Sequence, residues 1–115
     1  MKMNDTDDTS LEDAALAFSA LGSEQRLGVM RALVRSGPEG MSIGELGVAT
    51  GISGSTLTHH VKFLTHAGLV EQVKKGRSII CAAVAYDMVE RLSEFLLSEC
   101  CADASKYSHD LQGDD

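Results

Sequence analysis

The stretch from Ile52 to Arg77, ISGSTLTHHVKFLTHAGLVEQVKKGR, constrains this chain more than any other. It opens on small and hydroxyl residues of the kind that start helices. Leu57, Val61 and Leu64 then recur at helical spacing, so they share one face of a short amphipathic helix. Gly68 stops that helix, and Leu69, Val70 and Val73 lead into Lys74, Lys75, Gly76 and Arg77. Ile79, Ile80, Ala82 and Val84 follow, so the run reads as a basic hairpin with Gly76 in its turn. A polar-faced helix followed by a basic hairpin complements a DNA groove and its flanking phosphates.

The segments before it are helical. Ser10 precedes Leu11, Ala14, Ala15, Phe18 and Leu21, with Asp13 three residues on, which is a capped amphipathic pattern. Ser23 caps a second helix carrying Leu27, Met30, Leu33 and Val34, ended by Gly37 and Pro38. Ser42 and Glu45 form a capping box for a third, short helix through Leu46 and Val48 to Gly51. The fourth helix starts at Ser53, across a tight turn containing Gly51. Two short helices joined in this way are a helix-turn-helix. After the hairpin, Tyr86 to Cys101 is predicted as a last helix, with Val89, Leu92, Leu96 and Cys100 on one face.

At 115 residues the chain is expected to form one domain. The expected boundaries are a flexible acidic N-terminus at 1–9, the folded domain at 10–101 and a flexible acidic tail at 102–115. The first and last helices carry apolar stripes that the central unit does not need. They predict a homodimer built from the terminal helices. The other reading is that both pack on their own core.

The net charge of −7 looks wrong for a nucleic-acid binder until it is divided along the chain. Residues 1–13 hold one Lys and five acids, a net of −4. Residues 21–80 hold seven Lys/Arg and four acids, a net of +3, and residues 86–115 hold two and eight, a net of −6. Phosphate binding needs local positive charge rather than a global excess, and the basic middle supplies it. The N-terminus MKMNDTDDTS has neither the basic start nor the apolar run of a secretory signal. Every apolar run is too short to span a bilayer. The expected location is cytoplasmic, with no membrane partner. The sequence contains no Gly-rich phosphate loop, no HExxH and no placeable Ser-His-Asp set, so no enzyme is expected.

With Leu57, Val61 and Leu64 facing the core, Ser55, Thr58, His59 and Lys62 face outward. Ser53, Gly54 and Ser55 stand at the start of the helix, the end that meets base edges. Lys62, and His66 when protonated, suit phosphates. Lys74, Lys75 and Arg77 would lie over backbone or minor groove. The candidate double-stranded DNA contacts are therefore Ser53, Gly54, Ser55, Thr58, His59, Lys62, Lys74, Lys75 and Arg77. His59 and His66 share a face, but no carboxylate or Cys lies beside them to complete a metal site. His60 is expected half-buried against the preceding helix.

Ala20-Leu21-Gly22 with Arg26-Leu27, the run Ser53 to Leu64, then Ala67-Gly68-Leu69-Val70 and Gly76-Arg77 resemble the ArsR/SmtB family. The match runs from about Leu16 to Val84. The resemblance implies a mainly α fold with a small β-hairpin wing, the winged helix-turn-helix. It also implies a dimeric repressor that leaves its operator when an inducer binds. Members often carry longer polar side chains where this chain has Gly54 and His59, so the likeness does not extend to the operator sequence.

Two sensing sites common in the family are absent: the helix before the recognition helix has no thiol, and Val89 stands where the zinc version has a His. Three cysteines, Cys81, Cys100 and Cys101, occur in a chain with no export signal, which argues against a disulfide framework. Cys81, among Ile79, Ile80 and Ala82, reads as a core residue. Cys100 and Cys101 look like the paired cysteines of arsenic-responsive members. Trivalent arsenic as arsenite or methylarsenite, or Sb(III) as antimonite, binds thiolates through a pyramidal set of soft donors. Two thiolates leave one position for carbon, hydroxide or a further ligand. The resemblance thus implies a metalloid inducer at Cys100 and Cys101 and no cofactor required for folding. A redox or reactive-sulfur sensor, another soft metal, or no metal sensing at all are the other readings of the pair.

Overall fold

The computed structural model describes residues 10–84 and 86–104. The expected flexible segment at 1–9, and most of the expected tail, lie outside the described residues. The elements are α1 (Leu11–Leu21), α2 (Glu24–Ser36), β1 (Met41–Ser42), α3 (Ile43–Thr50), α4 (Gly54–His66), β2 (Val70–Lys75), β3 (Ser78–Ala83) and α5 (Tyr86–Leu97). This is the expected winged helix-turn-helix with one addition, the two-residue strand β1.

Local chemistry sets the first three helix starts. The Ser10 hydroxyl accepts from the Asp13 N–H at 3.0 Å, and the Ser23 hydroxyl from the Arg26 N–H at 3.3 Å. At α3 the capping box is complete: Ser42 Oγ accepts from Glu45 N at 3.1 Å, and Glu45 Oε1 accepts from Ser42 N at 2.9 Å. Gly51, with φ 74, closes α3 in the left-handed region that glycine tolerates best.

The sheet has the order β1-β3-β2, all antiparallel. Lys75 pairs with Ser78, so Gly76 and Arg77 form a two-residue turn. Gly76 takes φ 61, as a tight hairpin turn requires. β1 joins the other edge of β3, through Met41 with Cys81 and Ser42 with Ile80.

The core is made of Val29 and Leu33 of α2, Leu46 of α3, Leu57, Val61 and Leu64 of α4, and Leu69, Val70 and Cys81 of the wing base, with Leu92 of α5 beside them. The first helix divides its predicted apolar set between the core and solvent. Ala14, Ala17 and Ala20 face the core, while Leu11 and Phe18 are exposed. Small residues let α1 approach its neighbours closely, and that packing outweighs the size of Phe18. The last helix is divided in the same way. Leu92 is buried and Phe95 packs on the core, but Val89, Leu96 and Leu97 are left open.

The last helix is also shorter than predicted. It ends at Leu97 rather than Cys101. Just past its end, the Ser98 hydroxyl donates to the Phe95 carbonyl at 3.0 Å. Single turns follow: Cys100 N donates to Leu97 O at 2.8 Å, Ala102 N to Glu99 O at 2.9 Å and Ala104 N to Cys101 O at 3.0 Å. Cys100 is therefore not part of an α5 stripe.

Candidate DNA-binding face and thiol site

Helix α4 presents the face that the spacing predicted. Leu57, Val61 and Leu64 are 2%, 0% and 0% exposed, and Ser55, Thr58, His59 and Lys62 all lie in solvent. The tight turn before it is fixed by Thr50, whose hydroxyl donates to Leu46 O at 2.8 Å and accepts from Ile52 N at 3.3 Å. At the start of α4, Ser53 makes no side-chain cap bond and Gly54 has φ 34 with open space where a Cβ would stand. The Ser53 hydroxyl therefore remains free of the helix end. Thr58 differs, because its hydroxyl already donates to Gly54 O at 3.2 Å. It offers a lone pair to a ligand more readily than a proton.

The wing brings Lys74 and Lys75 of β2 next to Arg77 of the turn, all exposed. Lys62 on α4 is exposed as well. His66 is also exposed, in the last turn of α4.

His60 behaves differently from its neighbour His59. It is 8% exposed, and it meets α2 rather than the preceding helix α3. Its Nε2–H donates to Gln25 Oε1 at 2.9 Å, while Nδ1 is buried without a partner. A proton on Nδ1 would be buried with no acceptor. Burial first, then the Arg26 guanidinium, then His59 hold its pKa below 6.5. His60 is a neutral packing residue. The contact joins residues 35 apart in the chain, so no local pattern announced it.

Beyond α5, Cys100 and Cys101 are exposed, with their sulfurs 3.4 Å apart. Cys101 has φ 64, a left-handed conformation unusual for a side-chain-bearing residue. The shared hydrogen bond with Cys101, then the charge of that neighbouring thiol, then a little desolvation push the Cys100 thiol pKa up. The raised pKa favours the protonated thiol at Cys100. Cys81 lies apart from it as a fully buried residue of the central strand, where burial raises its pKa against a smaller opposing effect of a hydrogen bond with Gln72. Among the described residues no group of three or more His, Cys, Asp or Glu is placed to hold a metal ion. The same residues include no helix long and apolar enough to cross a membrane.

Comparison with known proteins agrees with this architecture. A family described as a helix-turn-helix domain matches residues 21–73, from the end of α1 into β2. The uncharacterized HTH-type transcriptional regulator YceK of Bacillus subtilis is 38% identical over 78 residues, covering 68% of this chain and 74% of the relative. An ArsR-like transcriptional regulator from Rhodococcus sp. RHA1 superposes with a TM-score of 0.67 at 24% identity, over 89% of this chain and 92% of its own. A homodimeric winged helix-turn-helix DNA-binding domain from Mycobacterium bovis, described as a possible ArsR-family transcriptional regulator, gives a TM-score of 0.64 at 21% identity. That likeness covers 90% of this chain and 91% of the other. The chain therefore belongs to the helix-turn-helix transcriptional regulators, and its fold is the winged helix of the ArsR family.

Proposed function

We propose that this regulator is a homodimeric repressor whose operator is released when a thiophilic inducer, trivalent arsenic or antimony, bridges Cys100 and Cys101. DNA is held by the outward face of α4, with Ser53, Gly54, Ser55, Thr58, His59 and Lys62, and by Lys74, Lys75 and Arg77 of the wing. The exposed Leu11 and Phe18 of α1 and Val89, Leu96 and Leu97 of α5 support packing against a second copy. A dimer places two recognition helices on paired half-sites.

The observation that carries the sensing reading is the exposed sulfur pair. With metal–sulfur bonds of about 2.3 Å, a separation of 3.4 Å subtends roughly 95° at a bridging atom. That angle is narrower than a tetrahedral site prefers and suits a pyramidal trivalent centre. The chemistry balances without net proton release. Methylarsenite carries two As–OH groups. Two thiols replace them, two As–S bonds form and two waters leave. Arsenite reacts in the same way and keeps one hydroxide. Cys81 is not needed, since its side chain is sealed in the core.

The test begins with DNA from upstream of the chain's own gene, bound at two salt concentrations. A specific complex that weakens with salt is expected. The complex is then titrated with methylarsenite, arsenite, antimonite, Zn(II) and Cd(II). Release by the trivalent metalloids at lower concentrations than by Zn(II) supports the reading. A complex indifferent to all five contradicts it.

A further inference from the structure

We propose that Arg26 is a positioning residue for DNA recognition: its guanidinium is a strut that sets the seat of α4 against the end of α1. The inference rests on the DNA-binding reading above and adds to it the element that fixes the reading head.

The geometry involves three helices. Arg26 lies in the first turn of α2, where its backbone N–H is held by Ser23 Oγ. Its Nε–H donates to Ala20 O at 2.7 Å, and Nη2 donates to Ser19 O at 3.3 Å. Both acceptors belong to the C-terminal turn of α1, which has no basic residue of its own. A cation there faces the negative end of the helix dipole and makes charge-assisted bonds. The other side of the guanidinium lies over the Phe63 ring, 4.0 Å from its centroid. Phe63 belongs to α4, one turn beyond His59 and directly after Lys62. A displacement of the α4 backbone at Phe63 would carry both outward side chains with it.

α4 needs such an external support because its own start is weakly fixed: Ser53 supplies no side-chain cap bond and Gly54 has positive φ. α1 in turn contacts both α4 and α5. Arg26 therefore lies between the terminal-helix layer and the recognition helix. Lysine cannot replace it, because an ammonium has neither the fork that reaches two carbonyls nor the flat face that stacks on a ring.

The experiment uses the full chain and a duplex that the wild type selects from a random-sequence library. Affinities for this duplex and for a scrambled one are measured at one salt concentration. The proteins are wild type, Arg26→Lys, Phe63→Leu, the double variant and Phe63→Tyr. The proposal expects Arg26→Lys and Phe63→Leu each to lower the ratio of selected to scrambled affinity by about tenfold, with scrambled binding little changed. It expects the double variant to be no worse than either single change, since both break one strut. Phe63→Tyr keeps the ring and keeps the ratio. A ratio preserved in both single variants, losses that add, or equal loss on both duplexes would overturn it. The last of these is what a merely structural role produces. If Arg26→Lys does not fold, Phe63→Leu reads the same ratio independently. A wild type that selects no duplex removes the DNA reading itself, and the strut with it.

Discussion

α4 and α1 are both short amphipathic helices, yet they place their apolar residues in opposite ways. α4 turns Leu57, Val61 and Leu64 inward and shows small polar side chains to solvent. α1 turns three alanines inward and leaves Leu11 75% and Phe18 41% exposed. The end of α5 resembles α1, with Leu96 and Leu97 uncovered at 71% and 61%. The recognition helix is thus completed within one chain, and its outer face is free to meet a ligand. The terminal layer leaves apolar surface in solvent, the surface that the proposed homodimer would cover. α4 thus contributes three side chains to the core of one chain, while the terminal helices leave large apolar side chains in solvent.

Substitution in the two layers should give effects of different size. Leu64→Ala is expected to destabilise the fold by about 2–5 kcal/mol, because it empties a fully buried site. Leu96→Ala should change monomer stability by no more than about 0.5 kcal/mol and act on dimerisation instead. Denaturant midpoints at two protein concentrations measure both. Equal effects on midpoint and on dimerisation would erase the contrast.

The thiol pair sharpens the input side. Cd(II) must displace the proton of the Cys100 thiol, whose pKa is raised, so its affinity should increase as pH rises through the neutral range. Methylarsenite releases only water, so its equilibrium affinity should stay nearly flat over the same range. Calorimetric titration in buffers of different ionisation heat counts the protons directly. On the output side, Lys74→Ala, Lys75→Ala or Arg77→Ala should each weaken DNA binding evenly across sequences. Each should also reduce the slope of log affinity against log salt by about 1 if that cation meets a phosphate.

The smallest effect expected is a pH dependence of the seat of α4. His60 has a folded pKa below 6.5. Its contribution is therefore fully present above pH 6.5 and is lost as pH falls through that value toward the folded pKa. Chemical denaturation between about pH 7.5 and 5.5 should show this decline. The decline should be reduced in His60→Gln, which cannot charge.

Much of this architecture could be read from local signals. The caps at Ser10, Ser23 and Ser42 act over three residues, and the α4 face follows from the helical repeat alone. What could not be read depends on distant partners. β1 is only two residues, and it is a strand solely because β3 lies beside it. The inward face of α1 was obscured because alanines, not its large residues, meet the core. The apolar periodicity of α5 continues to Cys100, but the helix ends at Leu97. His60 meets Gln25, and Arg26 meets Phe63, across intervals that no window of sequence spans. The outward face of α4 was legible in the sequence, whereas the contact of Arg26 with Phe63 behind it was not.

The central claim is that DNA is held at α4 and the wing while the signal enters at Cys100 and Cys101. Its most direct test is fluorescence anisotropy of a labelled operator duplex bound by wild type and by a Cys100→Ser, Cys101→Ser double variant. Both proteins should bind the free duplex with equal affinity, and methylarsenite should release it from the wild type only. Release that persists in the double variant, or a double variant that no longer binds the duplex, would contradict the account.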